Sequence, residues 1–389
     1  MKTHTLIIII GLSITGLFSS CEKKDDAIEF STCYIDENIA HPHAESYQQI
    51  IDDLLEVGVP GVSVTVRTPE GIWSKGGGKA DLKNGIYLSP CHSLRAGSMS
   101  KVITATTILI LQEEGVLSID DKINKYIPSS ITNKIENANE VTIKQILNMT
   151  SGVRDYLGLK SILGIINLSV VKKSAEENLK YIYNKPADFK PGARNLYSNT
   201  NYLLAALVIK YATGKTANEV VQEKIIDRFG LSNTYISTAT PGNLSRSYID
   251  IYDNDYMKDI TEIDNNAVGG EDMLDGGIIS SSYDLSLFLE LLMNGEILEE
   301  NSLNQMKEFL ALTELVEDME FIKGYGLGLM RLETVYGTAI GHYGNVHGFT
   351  GLMFYFPEDK ITLSILVNGH STKIQNVLER EKIFNHLFE

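Results

Sequence analysis

Strand patterns at both ends of this chain, with helical patterns through its middle, limit the folds open to it. Near the start, GVSVTVRTPEGIWSKGGGKADL (61–82) alternates apolar and polar residues on either side of a Pro-Glu-Gly turn, as two paired strands would. At the far end, GYGLGLMRL (324–332), TAIGHYG (338–344), FTGLMFYFP (349–357) and ITLSILVNG (361–369) carry strand patterns separated by short turns. Between about 98 and 320 helical periods dominate. A strand needs hydrogen-bonded neighbours, so one sheet must be assembled from both ends of the chain around a largely helical insert. Short connections imply antiparallel pairing, and helices must cover the faces. One covering helix is AESYQQIIDDLLEVG (44–58), with Ile50, Ile51, Leu54 and Leu55 at helical spacing and Pro60 ending it. The expected class is α/β (α+β): an antiparallel sheet flanked by helices, plus a largely helical domain. No internal repeat or low-complexity linker interrupts it.

The chain has 389 residues, 43% hydrophobic and 22% charged, enough for one large domain or two small ones. Its formal net charge of −16 would repel phosphate and argues against nucleic acid as a partner. Glycines 76–78 lack the Lys-Ser/Thr pair and following helix of a phosphate loop, and read as a bend in a sheet. His41-Pro-His43 lies in a polar lead-in, and no cysteine has metal spacing. Neither a metal nor an organic cofactor is implied.

The N-terminus, MKTHTLIIIIGLSITGLFSSCEKKDD, has one lysine, a short apolar run and then small residues, as a secretory signal does. LFSSC resembles a bacterial lipoprotein signal, which implies a signal peptide at 1–20 and lipidation of Cys21. Phe18 is a looser match. EKKDD resembles tethers that carry lipoproteins to the cell surface. A flexible tether at 21–45 and a folded domain at 46–389 are expected, its sheet drawn from 46–97 and 322–389 and its helical insert spanning about 98–321. The protein is expected to be exported to the periplasm or outer membrane, touching the membrane only through that anchor. Cys33 and Cys91 would pair or remain thiols in an oxidising compartment.

Chemistry enters with LRAGSMSKVITATTILILQEEGVLSIDD (94–121). Ser98 and Lys101 are i and i+3 at the start of an apolar helix, about 5–6 Å apart at Cβ. A serine hydroxyl is a weak nucleophile until a base takes its proton, and a desolvated lysine is such a base. The helix start adds backbone N–H groups that favour an oxyanion. Ser-x-x-Lys also occurs at Ser20 and at Ser169, but only the Ser98 copy follows a glycine turn and opens a long apolar helix.

Two further motifs give that pair company. PGARNLYSNTNYLLAALVIKYATG sets Tyr197, Ser198 and Asn199 just before another apolar helix. A tyrosine there can relay a proton, and an asparagine amide can hold both lysine and substrate. In AIGHYGNVHGFTGLMFYF, His342, Tyr343 and Gly344 end a strand whose edge can align a peptide-like substrate. Gly344 would let substrate approach the backbone, and His342 would supply a proton donor or partial positive charge.

In this order, the motifs resemble those of the penicillin-recognising serine hydrolases: class C β-lactamases, D-Ala-D-Ala carboxypeptidases, D-aminopeptidases and related esterases. The handled signature is Ser-x-x-Lys with Tyr-Ser-Asn and His-Tyr-Gly, the last two standing where Ser-Asp-Asn and Lys-Thr-Gly occur in other branches. The resemblance runs from about residue 46 to 389 and includes ILNMTSGVRDY, DGGIISSSYDLSLFL and KGYGLGL. It implies an α/β domain beside a helical one with the site between them. It also implies Ser98 as acylated nucleophile, and Lys101 as general base, alone or with Tyr197. Asn199 would orient substrate, while His342 would contact Tyr197 and a substrate carboxylate. The N–H groups of Ser98 and Asn345 would form the oxyanion hole. The implied function is a cell-envelope serine hydrolase, in the first place a D-Ala-D-Ala carboxypeptidase or related D-peptidase acting on small peptides. A β-lactamase, an esterase or aminopeptidase, and a catalytically silent binding module are the alternatives.

Some positions depart from the pattern. Met149 stands where a histidine often precedes Thr-Ser-Gly. Tyr343 is bulkier than the usual Thr or Ser and would narrow the cleft. Asn345 and His347 add polar groups to its rim.

Overall fold

Eight strands form one antiparallel sheet: β1 (Gly61–Thr68), β2 (Gly71–Asp81), β3 (Ile86–Tyr87), β4 (Ile322–Tyr325), β5 (Met330–Thr334), β6 (Gly337–Val346), β7 (Phe349–Phe356) and β8 (Ile361–Val367). Their order is β3-β2-β1-β8-β7-β6-β5-β4. The two ends of the chain meet where β1 pairs with β8, in register from Val62 opposite Val367 to Arg67 opposite Thr362. This computed structural model describes residues 40–157, 171–312, 322–378 and 380–388. The expected signal peptide, Cys21, Cys33, most of the expected tether and the Ser20 and Ser169 motifs lie outside the described residues. Cys91 is disulfide-bonded.

The described helices include α1 (Ala44–Glu56), α2 (Ser100–Glu113), α3 (Thr200–Thr213), α4 (Ser282–Met293) and α5 (Thr372–Leu378). On one sheet face, α1 buries Tyr47, Ile50, Ile51 and Leu54, and α5 buries Ile374 and Leu378, against Val62, Val64, Leu352, Phe354 and Ile365. Each such aliphatic side chain contributes about 1.5–3 kcal/mol when fully removed from water. The glycine run 76–78 lies inside β2, paired with Ser63, Val62 and Gly61.

The opposite face is unusual in being polar yet closed. Ser63 and Thr65 of β1 hydrogen-bond to Ser282 of α4 at 2.6 and 2.8 Å, and Arg67 Nε donates to Ser286 Oγ at 2.8 Å. Small hydroxyl side chains let α4 lie close on the strands while keeping buried polar groups bonded. The sequence places α4 in the helical insert, but it packs on the sheet. Its period shows that one face is buried, not which layer buries it.

The helical part is built around α2, in which every residue from Ser100 to Leu111 is buried. Its polar members are satisfied locally: Thr104, Thr106 and Thr107 donate to the carbonyls of Ser100, Val102 and Ile103 at 2.8–2.9 Å. A short ribbon pairs Leu94–Arg95 with Ile279–Ser280. That ribbon carries the Asp275–Gly276 turn up to the start of α2, fixed by Ala96 N–H donating to Ile278 O at 2.9 Å.

Candidate active site

A single 3₁₀ turn, Gly97–Met99, presents Ser98 at the mouth of α2. One helical turn on, Lys101 has no exposed surface. Its Nζ lies 2.9 Å from Ser98 Oγ, 2.8 Å from Asn199 Oδ1 and 2.6 Å from the carbonyl oxygen of Asp275. Two of these partners are acceptors only. A neutral amine has two N–H bonds, which must serve Asp275 O and Asn199 Oδ1, and its lone pair is then left facing the serine hydroxyl.

Asn199 owes its orientation to a residue the sequence reading missed. Its backbone N–H and Nδ2 donate to Asp155 Oδ1 and Oδ2 at 3.2 and 3.1 Å, which turns Oδ1 toward Lys101. Burial pushes the Asp155 carboxyl up, opposed by hydrogen bonds from Leu157 and Asn199 and by Lys101. Thr200 Oγ1 accepts from Tyr156 N–H and donates to Arg154 O, both at 2.8 Å, tying this loop to the start of α3. Met149, with φ of 64°, completes the connection: its sulfur accepts from Ser198 N–H and from Asn201 Nδ2, both at 3.4 Å. A thioether thus fills an acceptor position where the sequence pattern suggests imidazole. The Tyr197 ring centroid lies 5.0 Å from Lys101 Nζ and 6.2 Å from the His342 ring.

The edge of β6 closes the other side, and here three expectations change. At Gly344, a Cβ atom would sit 2.0 Å from Ala96 O. The space the glycine frees is taken by the protein's own nucleophile turn rather than by substrate. Gly97, with φ of 55°, faces the same junction, since its Cβ would lie 2.6 Å from Asn345 N. Tyr343 alternates onto the α1 face and packs edge-on against Phe354 at 4.8 Å, so it does not narrow the cleft.

His342, 1% exposed, is held by protein on both nitrogens. Nδ1 faces the carbonyl of Tyr343 and must donate to it, so Nε2 accepts from the Tyr325 hydroxyl at 3.1 Å. Burial and nearby Lys101 push its pKa down to about 3. The ring is neutral, and its bonds go to Tyr325 and Tyr343, where the sequence reading expected a cation-like contact to substrate and Tyr197. Burial holds the Tyr325 hydroxyl well above its ordinary pKa, so it remains the donor.

Ser98, Asn199, Asn345, His347 and Asp275 line one cavity of about 280 Å³. His347 is anchored through Nδ1 to the buried Asp264 at 3.2 Å. Asp275 was also missed in sequence. Its Oδ2 accepts from Tyr156 OH at 2.8 Å, and burial raises its carboxyl against the pull of Lys101 and Tyr156. DMLDGG and TSGVRDY read locally as turns, and nothing in them signals that the Asp275 carbonyl bonds Lys101 directly while the Asp155 carboxylate acts on it through Asn199.

The beta-lactamase family model matches residues 47–385. Among curated relatives, the putative penicillin-binding protein PbpX of Bacillus subtilis is 25% identical over 67% of this chain and 61% of its own length. Penicillin-binding protein 4* of the same organism is 27% identical over 70% and 59%. The matched region thus spans about three fifths of these relatives. Among solved structures, a D-stereospecific amidohydrolase from Streptomyces sp. superposes with a TM-score of 0.73 at 28% identity, covering 86% of this chain and 98% of that one. A D-amino acid amidase from Ochrobactrum anthropi SV3 gives 0.77 at 23% identity, covering 89% and 97%, and shares the fold. With a serine, a buried lysine and an asparagine meeting at the mouth of α2, and the match running almost from the first described helix to the last, the chain belongs to the beta-lactamase family of serine hydrolases.

Proposed function

We propose that the protein is a serine hydrolase that cleaves D-amino-acid amides or peptides through an acyl-enzyme on Ser98. The observation that carries this reading is Lys101, fully buried, with its Nζ 2.9 Å from the Ser98 hydroxyl. Lys101 takes the serine proton as Oγ attacks the substrate carbonyl. The backbone N–H groups of Ser98 and Asn345 receive the oxyanion. The proton then passes, from Lys101 directly or through Tyr197, to the departing amine, and water releases the acid. The D-configured substrate class is supported by the name of the 28%-identical Streptomyces relative, a D-stereospecific amidohydrolase.

The D-Ala-D-Ala carboxypeptidase form of this activity needs a group to receive a terminal carboxylate. His342 is neutral, and no Lys or Arg stands among the described residues lining the cavity. The geometry therefore supports amide hydrolysis better than that form. A β-lactamase remains the second reading, favoured by the family match and the penicillin-binding relatives. Incubation with D-alanine amide, a D-Ala-D-Ala-terminated peptide and benzylpenicillin, with product identified for each, separates the three. Release of ammonia from the D-amide by the wild type, but not by Ser98→Ala, is the expected result. Turnover that survives Ser98→Ala would reject the mechanism.

The lipoprotein-type N-terminus supports a place in the cell envelope, at the periplasm or outer membrane. Incorporation of labelled palmitate that Cys21→Ala abolishes is the expected outcome.

A further inference from the structure

The mechanism above gives the deacylating water no base of its own, and the cavity wall carries a second acid–base pair that it does not use. His347 stands in the turn from β6 to β7 and lines the same cavity as Ser98. Its side chain is 28% exposed, and its Nδ1 lies 3.2 Å from Oδ1 of Asp264, which has no exposed surface. Asp264 belongs to the helix Thr261–Val268, whose last two residues, Ala267 and Val268, also line the cavity.

Asp264 is itself fixed. Its Oδ2 accepts from the Gly348 N–H at 3.0 Å, and a Cβ atom on Gly348 would sit 2.8 Å from that oxygen. Burial pushes Arg95 down to about 10 and Asp264 opposes that fall, so a buried cation stands near the carboxylate. A carboxylate only accepts, so Nδ1 of His347 carries the ring hydrogen and the lone pair of the neutral imidazole sits on Nε2. Nε2 bonds to none of the described residues. The neighbouring His370 is pushed down by burial and by His347, against Asp264 and Asp253, and its Nδ1 faces Thr350 Oγ1 at 3.3 Å.

The other polar side chains on the wall are committed or closed off. Asn199 bridges Lys101 and Asp155, Asn178 Nδ2 donates to the carbonyls of Lys173 and Ser174, and the Tyr156 hydroxyl bonds Asp275. The remaining Asp275 oxygen is buried. Among the described residues lining the cavity, His347 is therefore the ionisable side chain that combines accessible surface with an uncommitted lone pair.

We propose that His347, oriented by Asp264, is the general base of deacylation, so that the two half-reactions use two bases: Lys101 for acylation and His347 for hydrolysis. This rests on the acyl-enzyme reading above and adds a residue to it. Nε2 takes one proton of a water as the water oxygen bonds to the acyl carbon, and the bond from that carbon to Ser98 Oγ then breaks. The second water proton, left on the new carboxyl group, passes through Lys101 to Oγ. The proton on His347 goes to solvent, and the product leaves as a carboxylate. Asp264 acts through His347 and is a positioning residue.

Stopped-flow hydrolysis of p-nitrophenyl acetate separates the half-reactions, since the first equivalent of p-nitrophenol marks acylation and the later rate marks hydrolysis. His347→Gln is expected to release one equivalent at the wild-type rate and then to turn over about 10²–10⁴-fold more slowly, with acetyl accumulating on Ser98 in the intact mass. Asp264→Asn keeps the shape and an oxygen for Gly348. Its amide N–H donates to Nδ1 and moves the ring hydrogen to Nε2, so the same selective slowing is expected. Hydroxylamine, a stronger nucleophile than water that needs no base, should restore turnover in both variants. Equal slowing of both phases, a slow phase that hydroxylamine leaves unchanged, or wild-type hydrolysis by His347→Gln would overturn the proposal. His347→Gln alters a partly exposed side chain, so its result decides the matter even where Asp264→Asn does not fold. A wild type in which Ser98 takes up no acetyl group would reject the acyl-enzyme reading itself, a different outcome from any of these.

Discussion

Asp155 holds the Asn199 side chain by its amide nitrogen, and so decides that the amide oxygen faces Lys101. An asparagine without that clamp is free to present either end. Asp155→Ala is expected to lower kcat by about 10-fold or more while KM changes little, since the lost interaction sets catalytic geometry rather than substrate contact. Steady-state kinetics on any turned-over D-amide checks this. A rise in KM at constant kcat would assign Asp155 to binding instead.

Lys101→Met preserves much of the side chain's volume and removes the base. Positioned proton transfer is worth about 10²–10⁴-fold, so acylation of Ser98 should slow by that order. The same change leaves Asn199 Oδ1 and Asp275 O without their donor, costing about 1–3 kcal/mol for each buried acceptor left unpaired. Stopped-flow acylation and thermal unfolding report the two effects separately.

Gly344→Ala would drive a methyl group to 2.0 Å from Ala96 O, backbone against backbone. A loss of about 1–3 kcal/mol or more is expected from overpacking. Because the displaced segment carries Ser98, activity should fall further than the melting temperature alone would explain. Unchanged stability would contradict the close approach of β6 to the nucleophile turn.

Those two glycine and carboxylate contacts also mark what the sequence did not reveal. Ser98, Lys101, Tyr197, Asn199 and His342 could be read because each sits in a short motif with its own spacing. Asp155 and Asp275 gain meaning only when distant turns converge on one lysine, and neither turn differs locally from an ordinary loop. Gly344 announces a close approach, but a sequence cannot say whether substrate or Ala96 makes it. The sheet built from both chain ends was legible from strand periods. The assignment of α4 to the sheet was not, since a buried helical face looks the same against either layer.

His342 bears on pH. Its pKa of about 3 in the folded protein lies below the ordinary 6.5. Between those values the unfolded chain binds a proton that the native ring does not, so stability rises with pH across that window and is lost as pH falls. The slope approaches about 1.4 kcal/mol per pH unit for this one group. His342→Gln should flatten the acid limb of a denaturation-versus-pH series by that amount. It should leave no missing histidine ionisation in the activity profile between pH 5 and 8.

The most direct measurement is intact-protein mass after exposure to a fluorophosphonate, followed by peptide mapping, for wild type and Ser98→Ala. One adduct, located on Ser98 and absent from the variant, is expected; an adduct elsewhere, or none on a folded wild type, would contradict Ser98 as the nucleophile.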